Sequence, residues 1–436
     1  MSESTRLNLS RRGALGVAAS VLAVGGAAAS DAADAGFSEA EAERILTRYA
    51  AFGDKAAGGA GDNASGAWLE AELRGLGYAC RRQAFEVPAY EGAAPTLTTG
   101  ASRAVLIPQA AVVATGGAGV SGPIRLTGEG ASLQAALALI VLPYGRWSSV
   151  RGEVERQVAR AWAAGAVGVV LVTTGPTGEA IALNAPAEGP AFGRPVAVLA
   201  PRDAAPFVEA ARRGEPATLH VAGRSFRREA FNVTATLARG RAKTLVISTP
   251  RSGWFGCMGE RGPGLAAWRM LAGWAAHTDL PVNVALVATS GHEYENVGGE
   301  HFIQDLAPRP EATALWVHLG AAAAARDWHE RGPALSPLPS ADPQRILMAS
   351  PALLSAARDA FKGQGGLEAV YPAQAAAALG ELGVILRAGY DPAIGVFGSH
   401  RFHHARGDDL RCVSAELIPP VAQAFARTIQ SALATV

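Results

Sequence analysis

Residues 284–302 read VALVATSGHEYENVGGEHF. An apolar, β-branched run ends in a small turn, and His292 and Glu293 follow it at once, before a glycine pair. This pattern predicts a buried strand whose end carries two chemically active side chains. The zincin motif His-Glu-x-x-His is excluded, because position 296 is Asn296. The nucleophile elbow Gly-x-Ser-x-Gly occurs nowhere in the sequence.

Strand-like and helical segments alternate on both sides of this stretch. Strand-like runs lie at 244–248, 282–288, 314–319, 384–386 and 394–397, and helical patterns lie at 264–276, 298–306, 351–361 and 415–433. This alternation predicts an α/β domain with a mixed, mostly parallel sheet flanked by helices. Functional residues usually lie at the carboxyl ends of the strands in such a sheet, and His292 and Glu293 are expected there.

The composition is that of a globular protein without a nucleic-acid partner. The 436 residues are 49% hydrophobic and 18% charged, which allows two or three domains with cores of their own. The net charge is +1 and no basic run exceeds a pair, so no basic surface for phosphates is expected. Cys80, Cys257 and Cys412 are widely spaced, which predicts buried thiols or at most one disulfide bond.

The N-terminus predicts an export signal. Arg11 and Arg12 precede a weakly apolar run at 13–30, and small residues at 27–29 offer a cleavage site. We interpret 1–30 as a twin-arginine signal peptide. An N-terminal membrane anchor is the alternative, but the run is short for a span and rich in Gly and Ala. With no second candidate span, a periplasmic or secreted protein without a stable membrane span is expected.

A change in composition predicts an insert at 96–225, between an N-terminal part at 31–95 and the main domain at 226–436. Gly and Thr become more frequent, and short β runs alternate with two helical patterns. The phrases GPIRL at 122–126, AAGAVGVV at 163–170 and RPVAVL at 194–199 resemble, in this order, a protease-associated domain. The resemblance implies a β-rich insert without chemistry of its own, which shapes access to a site or binds partners.

Four further places resemble the M28 family of zinc aminopeptidases that carry such an insert. They are FNV at 231–233 with TLVIS at 244–248, ERGPGLA at 260–266, ATSGHE at 288–293 with GG at 298–299, and FHHARGDD at 402–409. The resemblance covers nearly all of the chain after the signal. It implies a zinc-peptidase-like fold with two metal ions, five metal ligands and a carboxylate as general base.

The family's ligands are only partly kept in this sequence. The triplet that supplies a His and an Asp falls on 250–252, which reads PRS, so both are absent. The bridging Asp falls on Glu260, the metal-binding Glu on Glu293, the later Asp on His318 and the final His on His404. The general base falls on His292. The motif GAGDNASG at 59–66 also resembles the family's metal motif, but no strand precedes it, so a loop and helix N-cap is predicted there.

We therefore expect one zinc ion rather than two. Glu260, Glu293 and His404 would supply three ligands and leave an open position, as catalytic zinc requires, and His318 is a potential fourth ligand. Arg251 and Arg261 lie beside the lost half of the site. Each would supply positive charge there and could bind a substrate carboxylate or an oxyanion.

The function expected from this pattern is hydrolysis of a peptide or another small amide by zinc-activated water. His292 would accept the proton, since imidazole titrates near neutral pH. The alternative is an inactive relative that binds peptides or a protein partner, because loss of metal ligands and of the Glu base is also typical of proteins that have lost catalytic activity. A serine or cysteine hydrolase is disfavoured by the missing elbow. His403 is predicted to be a loop histidine, and His400 could reach the same cleft.

Overall fold

The computed structural model describes residues 36–100, 102–109, 112–128, 132–332 and 334–434. The predicted signal peptide lies outside these ranges. The helices are α1 (Glu39–Ala50), α2 (Ala60–Gly75), α3 (Glu153–Ala163), α4 (Ala205–Arg213), α5 (Met258–His277), α6 (Val297–Asp305), α7 (Leu354–Ala360), α8 (Gly380–Arg387) and α9 (Ile418–Leu433). No helix in the described part of the chain is long and apolar enough to cross a membrane.

The strands form two large sheets and one hairpin. The first nine are β1 (Ala79–Gly92), β2 (Thr96–Thr99), β3 (Ser102–Val105), β4 (Ile107–Pro108), β5 (Val120–Leu126), β6 (Leu137–Val141), β7 (Gly168–Val172), β8 (Val196–Leu199) and β9 (Pro216–His220). The others are β10 (Gly223–Leu237), β11 (Thr244–Pro250), β12 (Asn283–Thr289), β13 (Thr313–Leu319), β14 (Arg326–Arg331), β15 (Ala334–Ala341), β16 (Arg345–Ala349), β17 (Tyr371–Pro372) and β18 (Ala393–Gly398).

The first sheet is the mixed, mostly parallel sheet that the sequence predicts. Its order is β1-β10-β12-β11-β13-β18-β16-β17. The central strands β12, β11, β13 and β18 are parallel, and antiparallel pairs stand on either side of them. Every residue of β13 is buried, as expected for a parallel strand with helices on both faces. The prediction of the fold class is confirmed.

Helices cover both faces of this sheet. On one face α1, α5 and α9 pack around the large core that contains Trp268 and Phe425. On the other face α6 and α8 bury a smaller core around Trp316, which contacts Phe302 and Tyr390 edge to face. Sixteen of the 20 residues of α5 are buried, so this helix passes through the interior. Its first turn lies near the carboxyl edge of the sheet.

The second sheet lies wholly between β1 and β10 in the chain. Its order is β3-β2-β9-β5-β6-β7-β8-β4, with β5 to β8 parallel. The strands run from Thr96 to His220, inside the segment for which the sequence predicts an insert. We call residues 96–220 the insert. β1 pairs along its whole length with β10, and these two strands connect the second sheet to the first.

One predicted strand is wrong. Residues 384–386 lie inside α8 rather than in a strand. Leu382 and Ile385 are both buried and stand one helical turn apart, so the apolar residues of this segment follow a helical period. The sequence alone could not show this helical period, because a short run of apolar residues fits a strand as well as a buried helix.

Candidate functional site

A cleft of about 850 Å³ lies at the carboxyl edge of the first sheet. Its lining combines His292, which follows β12, with His318 near the end of β13. Glu381 from α8 and the histidine pair His403 and His404 also line it. Three of the expected site residues, His292, His318 and His404, therefore line one cleft together with Glu381 and His403.

Glu260 is the buried carboxylate next to this cleft. Its Oε1 lies 2.7 Å from Nη2 of Arg261 and 3.1 Å from Nε2 of His404. Its Oε2 is buried and has no hydrogen-bond partner. Burial would raise the pKa of Glu260, but the charges of Arg261 and His404 outweigh it and hold that pKa well below its usual range. The side chain is thus an anion with one oxygen free.

The N-terminus of α5 holds Glu260 in place. Asp408 accepts hydrogen bonds from the backbone N–H of Gly259 at 2.5 Å and of Glu260 at 3.1 Å, so a carboxylate caps the positive end of the helix. His400 supports this cap, with its Nε2 3.1 Å from Asp408. His400, Asp408 and Cys412 also lie within 4.8 Å of one another, but both oxygens of Asp408 are engaged by the helix.

His404 and His403 stand side by side above Glu260. Their rings stack with centroids 3.9 Å apart, and together with Glu260 they form a buried group whose ligand atoms lie within 4.8 Å of one another. His404 donates from Nδ1 to the carbonyl oxygen of Ala182 at 2.9 Å. A carbonyl can only accept, so Nδ1 donates to Ala182, and the other ring nitrogen, Nε2, lies 3.1 Å from Oε1 of Glu260. Burial lowers the pKa of His403 well below its usual range, which keeps that ring neutral.

Glu293 and His318 are turned to other partners. The carboxylate of Glu293 accepts from the backbone N–H of Ala57 at 2.6 Å and from Oγ of Ser252 at 2.7 Å. Burial raises its pKa. In the described part of the chain, Glu293 is not in the ligand group that contains Glu260 and His404. His318 contacts Oγ of Ser248 at 2.9 Å through Nδ1, and burial lowers its pKa to about 4.

His292 has a partner that the sequence analysis did not name. Its Nδ1 lies 3.3 Å from Oε1 of Glu381, and Nε2 of His318 lies 3.7 Å from the other carboxylate oxygen. Burial would raise the pKa of Glu381, but the hydrogen bond with His292 and the nearby His318 hold it below its usual value. Burial, followed by the charge of Arg261, lowers the pKa of His292. The imidazole is therefore neutral, is oriented by a carboxylate, and keeps 15% of its side-chain surface exposed.

The two arginines expected near the site are held by carboxylates of the protein itself. Arg261 pairs with Glu260 and also donates from Nε to the carbonyl oxygen of Ser252 at 2.8 Å. Arg251 lies 3.2 Å from Asp62, and both side chains are 0% exposed. A role for either guanidinium in substrate binding remains a prediction.

Asp62 belongs to the motif at 59–66, which opens α2 after the N-cap Gly59. The carboxylate accepts from Oγ of Ser290 at 2.6 Å and from the N–H of Gly58 at 2.8 Å. Burial raises its pKa, although the Arg251 charge opposes the shift. The motif therefore supplies a buried counter-ion to Arg251 and ties the start of α2 to the loop after β12.

The side chains around Glu260 fit one zinc ion. Two imidazoles and one carboxylate are a donor set of catalytic zinc. A metal-binding histidine usually donates its second N–H to a carbonyl or carboxylate, as His404 does to Ala182. The free Oε2 of Glu260 and the buried Nδ1 of His403, which has no hydrogen-bond partner, are unused donor atoms in the same group.

The chain has the fold of the zinc aminopeptidases. It matches an aminopeptidase from Aneurinibacillus sp. strain AM-1 with a TM-score of 0.66 at 14% identity, over 92% of this chain and 95% of that one. It matches a zinc aminopeptidase from Bacillus subtilis with a TM-score of 0.70 at 15% identity, over 91% and 96% of the two chains.

A peptidase M28 precursor from Shewanella amazonensis is similar to the same extent. Its TM-score is 0.65 at 16% identity, over 91% of this chain and 96% of that one. No protein-family model matches the sequence, and no curated protein is similar to it at the sequence level. At these identities the likeness concerns the fold, and the chemistry has to be argued from the residues of this chain.

Proposed function

We propose that the protein is a metallohydrolase of the aminopeptidase type, which binds one zinc ion through Glu260, His403 and His404. Its substrate is a peptide or another small amide bound in the cleft. The observation that carries this proposal is the buried group of two imidazoles and one carboxylate beside the cleft. This ligand set replaces Glu293 of the sequence-based expectation with His403, while Glu260 and His404 are kept.

The buried charges around Arg261 support a divalent cation. Glu260, Glu293 and Glu381 all act on this guanidinium electrostatically. With Glu260 and Glu381 ionised, one negative charge is left over in a buried region, where uncompensated charge is costly, and burial raises the pKa of Glu293. Asp62 does not change this balance, because Arg251 offsets it. A zinc ion would compensate the remaining charge and would favour the ionised form of Glu293.

The residues of the chain divide the chemistry between them. A bound zinc ion supplies Lewis acidity and lowers the pKa of a water molecule toward neutral pH. His292 accepts a proton from the attacking water, and its lowered pKa keeps it in the basic form at neutral pH. Glu381 orients this imidazole and stabilises the imidazolium once it forms. Apolar side chains of the cleft, among them Ile346 and Phe397, offer contact for a substrate side chain.

Metal analysis joined to a chelator experiment tests the proposal. The purified protein should contain about one zinc ion per chain, because one complete donor set is present. Aminoacyl chromogenic amides and short peptides should be hydrolysed, and a zinc chelator should stop the reaction until zinc is restored. Release of amine that the chelator leaves unchanged would contradict the proposal, as would zero or two equivalents of zinc.

A second candidate function is peptide binding without catalysis. The ion pair between Arg261 and Glu260 favours it, since a guanidinium already neutralises one oxygen of the proposed ligand. The same substrate panel separates the two functions. No hydrolysis of any member with zinc present, combined with saturable binding of peptides, would support the second candidate and exclude the first.

We further infer that the protein is exported to the periplasm or secreted. The inference rests on Arg11 and Arg12 before the apolar run at 13–30. Cell fractionation should recover the protein outside the cytoplasm, shortened by about 30 residues, the length of such a signal. Recovery of full-length protein from the cytoplasm alone would contradict the inference.

A further inference from the structure

Two loops of the insert reach the histidine pair and are joined to each other. They are residues 146–151 and 179–185, which we call the insert clamp. The N–H of Asn184 donates to the carbonyl oxygen of Ser148 at 2.8 Å, and the N–H of Val150 donates to that of Asn184 at 2.9 Å. Ser149 and Asn184 thereby form an isolated parallel bridge. The two loops are therefore joined through their backbones.

The clamp holds His404 at two points. The N–H of Ala182 donates to the carbonyl oxygen of His404 at 2.9 Å, and the ring of His404 donates from Nδ1 back to the carbonyl oxygen of Ala182 at 2.9 Å. His404 has a φ of 57°, in the left-handed region that residues other than glycine rarely adopt. Such a conformation persists only where the surroundings impose it, and Ala182 supplies that restraint.

The clamp also holds His403. Oγ of Ser148 lies 3.2 Å from its Nε2, while its Nδ1 is buried and has no hydrogen-bond partner. One ring nitrogen is thus taken by the insert and the other is left for a ligand. Glu179 adds a third contact, because it accepts from the N–H of Gly407 at 2.9 Å in the same loop.

Further contacts of the same unit lie around the site. The N–H of Ala185 donates to the carbonyl oxygen of Glu293 at 3.0 Å, and Nε1 of Trp254 donates to Oδ1 of Asn184 at 2.9 Å. Arg151 forms a bidentate pair with Glu295 at the cleft. The insert is therefore connected to the loops after β11, after β12 and after β18.

We propose that the insert clamp is a positioning part of the metal centre, and this rests on the zinc site proposed above. Ala182 engages Nδ1 of His404 and leaves Nε2 beside Glu260, and Ser148 engages Nε2 of His403 and leaves its Nδ1 without a partner. One ring nitrogen of each histidine is thereby available to an ion. Outer contacts of this kind tune metal affinity about 10-fold to 100-fold. The insert then contributes to the centre itself as well as to access.

Ser148→Ala tests the proposal, because it removes the hydroxyl that holds His403. Zinc affinity, measured by competition with a chelator of known affinity, should fall about 10-fold to 100-fold. The absorption spectrum of the cobalt-substituted protein should change as well, since the ligand geometry at the ion loosens. Ser148→Thr keeps a hydroxyl at this position and should restore both the affinity and the spectrum.

Ser121→Ala is the matched control. Ser121 also lies in the insert, but its hydroxyl bonds to Thr218 on the exposed side of the second sheet. This variant should bind zinc and cobalt like the wild type. Equal loss in Ser121→Ala and Ser148→Ala would overturn the proposal, because the effect would then come from general loosening of the insert. Wild-type affinity in Ser148→Ala would overturn it too.

The zinc affinity of the wild type distinguishes failure of the proposed function from failure of the positioning role. A wild-type protein that binds no zinc overturns the proposed function, and the positioning role falls with it. A wild type that binds one ion, with Ser148→Ala unchanged in affinity and spectrum, overturns the positioning role alone.

Discussion

Glu260→Gln is expected to abolish stable zinc binding and to reduce amide hydrolysis to the level of the zinc-free wild type. Glu260 is the one carboxylate in the proposed donor set, and an amide oxygen carries no charge to offset the ion. The loss in affinity should exceed the roughly 100-fold that removal of an outer-shell contact costs. Metal content after dialysis and chelator competition measure the affinity, and hydrolysis at saturating zinc measures the activity.

Folding of this variant needs its own control. Glu260→Gln leaves the Arg261 guanidinium buried without its counter-ion, and breaking a buried pair in this way costs about 3 to 5 kcal/mol. The double variant Glu260→Gln with Arg261→Gln removes both charges of this pair and should also fail to bind zinc. Circular dichroism and thermal unfolding follow the fold of both.

Glu311→Gln is the matched control for the same chemical change. Glu311 pairs with Arg309 at the surface, where its side chain is 66% exposed, so the substitution should change neither zinc content nor activity. One equivalent of zinc held by Glu260→Gln with wild-type affinity would exclude Glu260 as a ligand, and the proposed site with it.

The parts of the site that follow strand ends could be predicted from the sequence. The run at 284–289 predicts a buried strand, and the parallel sheet places His292 and His318 at the same edge, where the structure has them in one cleft. Glu260 and His404 meet at 3.1 Å although 144 residues separate them in the chain. The resemblance to a known family of proteins supplied that pairing; periodicity alone does not contain it.

The ligand set that we propose differs from the one expected from the sequence, because the directions of the side chains depend on contacts between distant segments. Glu293 is engaged by Ala57, which lies 236 residues earlier in the chain. His403 was expected to be a loop residue, since nothing in the sequence shows that Ser148 of the insert holds its ring. Comparing this sequence with the family's motifs position by position predicts which residue types lie near the site. The direction of each side chain depends on contacts with residues that are distant in the chain, such as Ala57 and Ser148.

Glu381 was missed for a local reason. The segment 384–386 predicts a strand by its apolar residues, and a strand there leaves position 381 in a loop without a role. In the structure Glu381 lies in the first turn of α8, while Leu382 and Ile385 bury the helix against the sheet. Helical spacing of the apolar residues together with an acidic residue in the first turn was the available signal.

His292→Ala is expected to lower kcat at least about 100-fold while zinc content stays at one equivalent. The imidazole lines the cleft, is oriented by Glu381 and is neutral at neutral pH, as a general base has to be. It is absent from the donor group around Glu260, so its loss should leave the metal in place. Steady-state kinetics with the metal content measured on the same sample check both expectations.

His301→Ala provides the matched control for this histidine. His301 lies nine positions further along in α6, where its ring stacks on Phe85 with centroids 5.0 Å apart. The substitution removes the same side chain from the same region, so kcat should stay close to the wild-type value. Unchanged kcat in His292→Ala would show that another group accepts the proton.

Glu381→Gln decides whether Glu381 acts through His292. If the carboxylate only orients the imidazole and stabilises its charged form, the single variant should lower kcat less than His292→Ala does. The double variant should then be no slower than His292→Ala alone, because residues that act as one unit do not contribute additively. Additive losses would mean that Glu381 has an effect of its own on the reaction. One such effect is to compensate the charge of a cation beside Arg261, because the carboxylate of Glu381 already acts electrostatically on the Arg261 guanidinium.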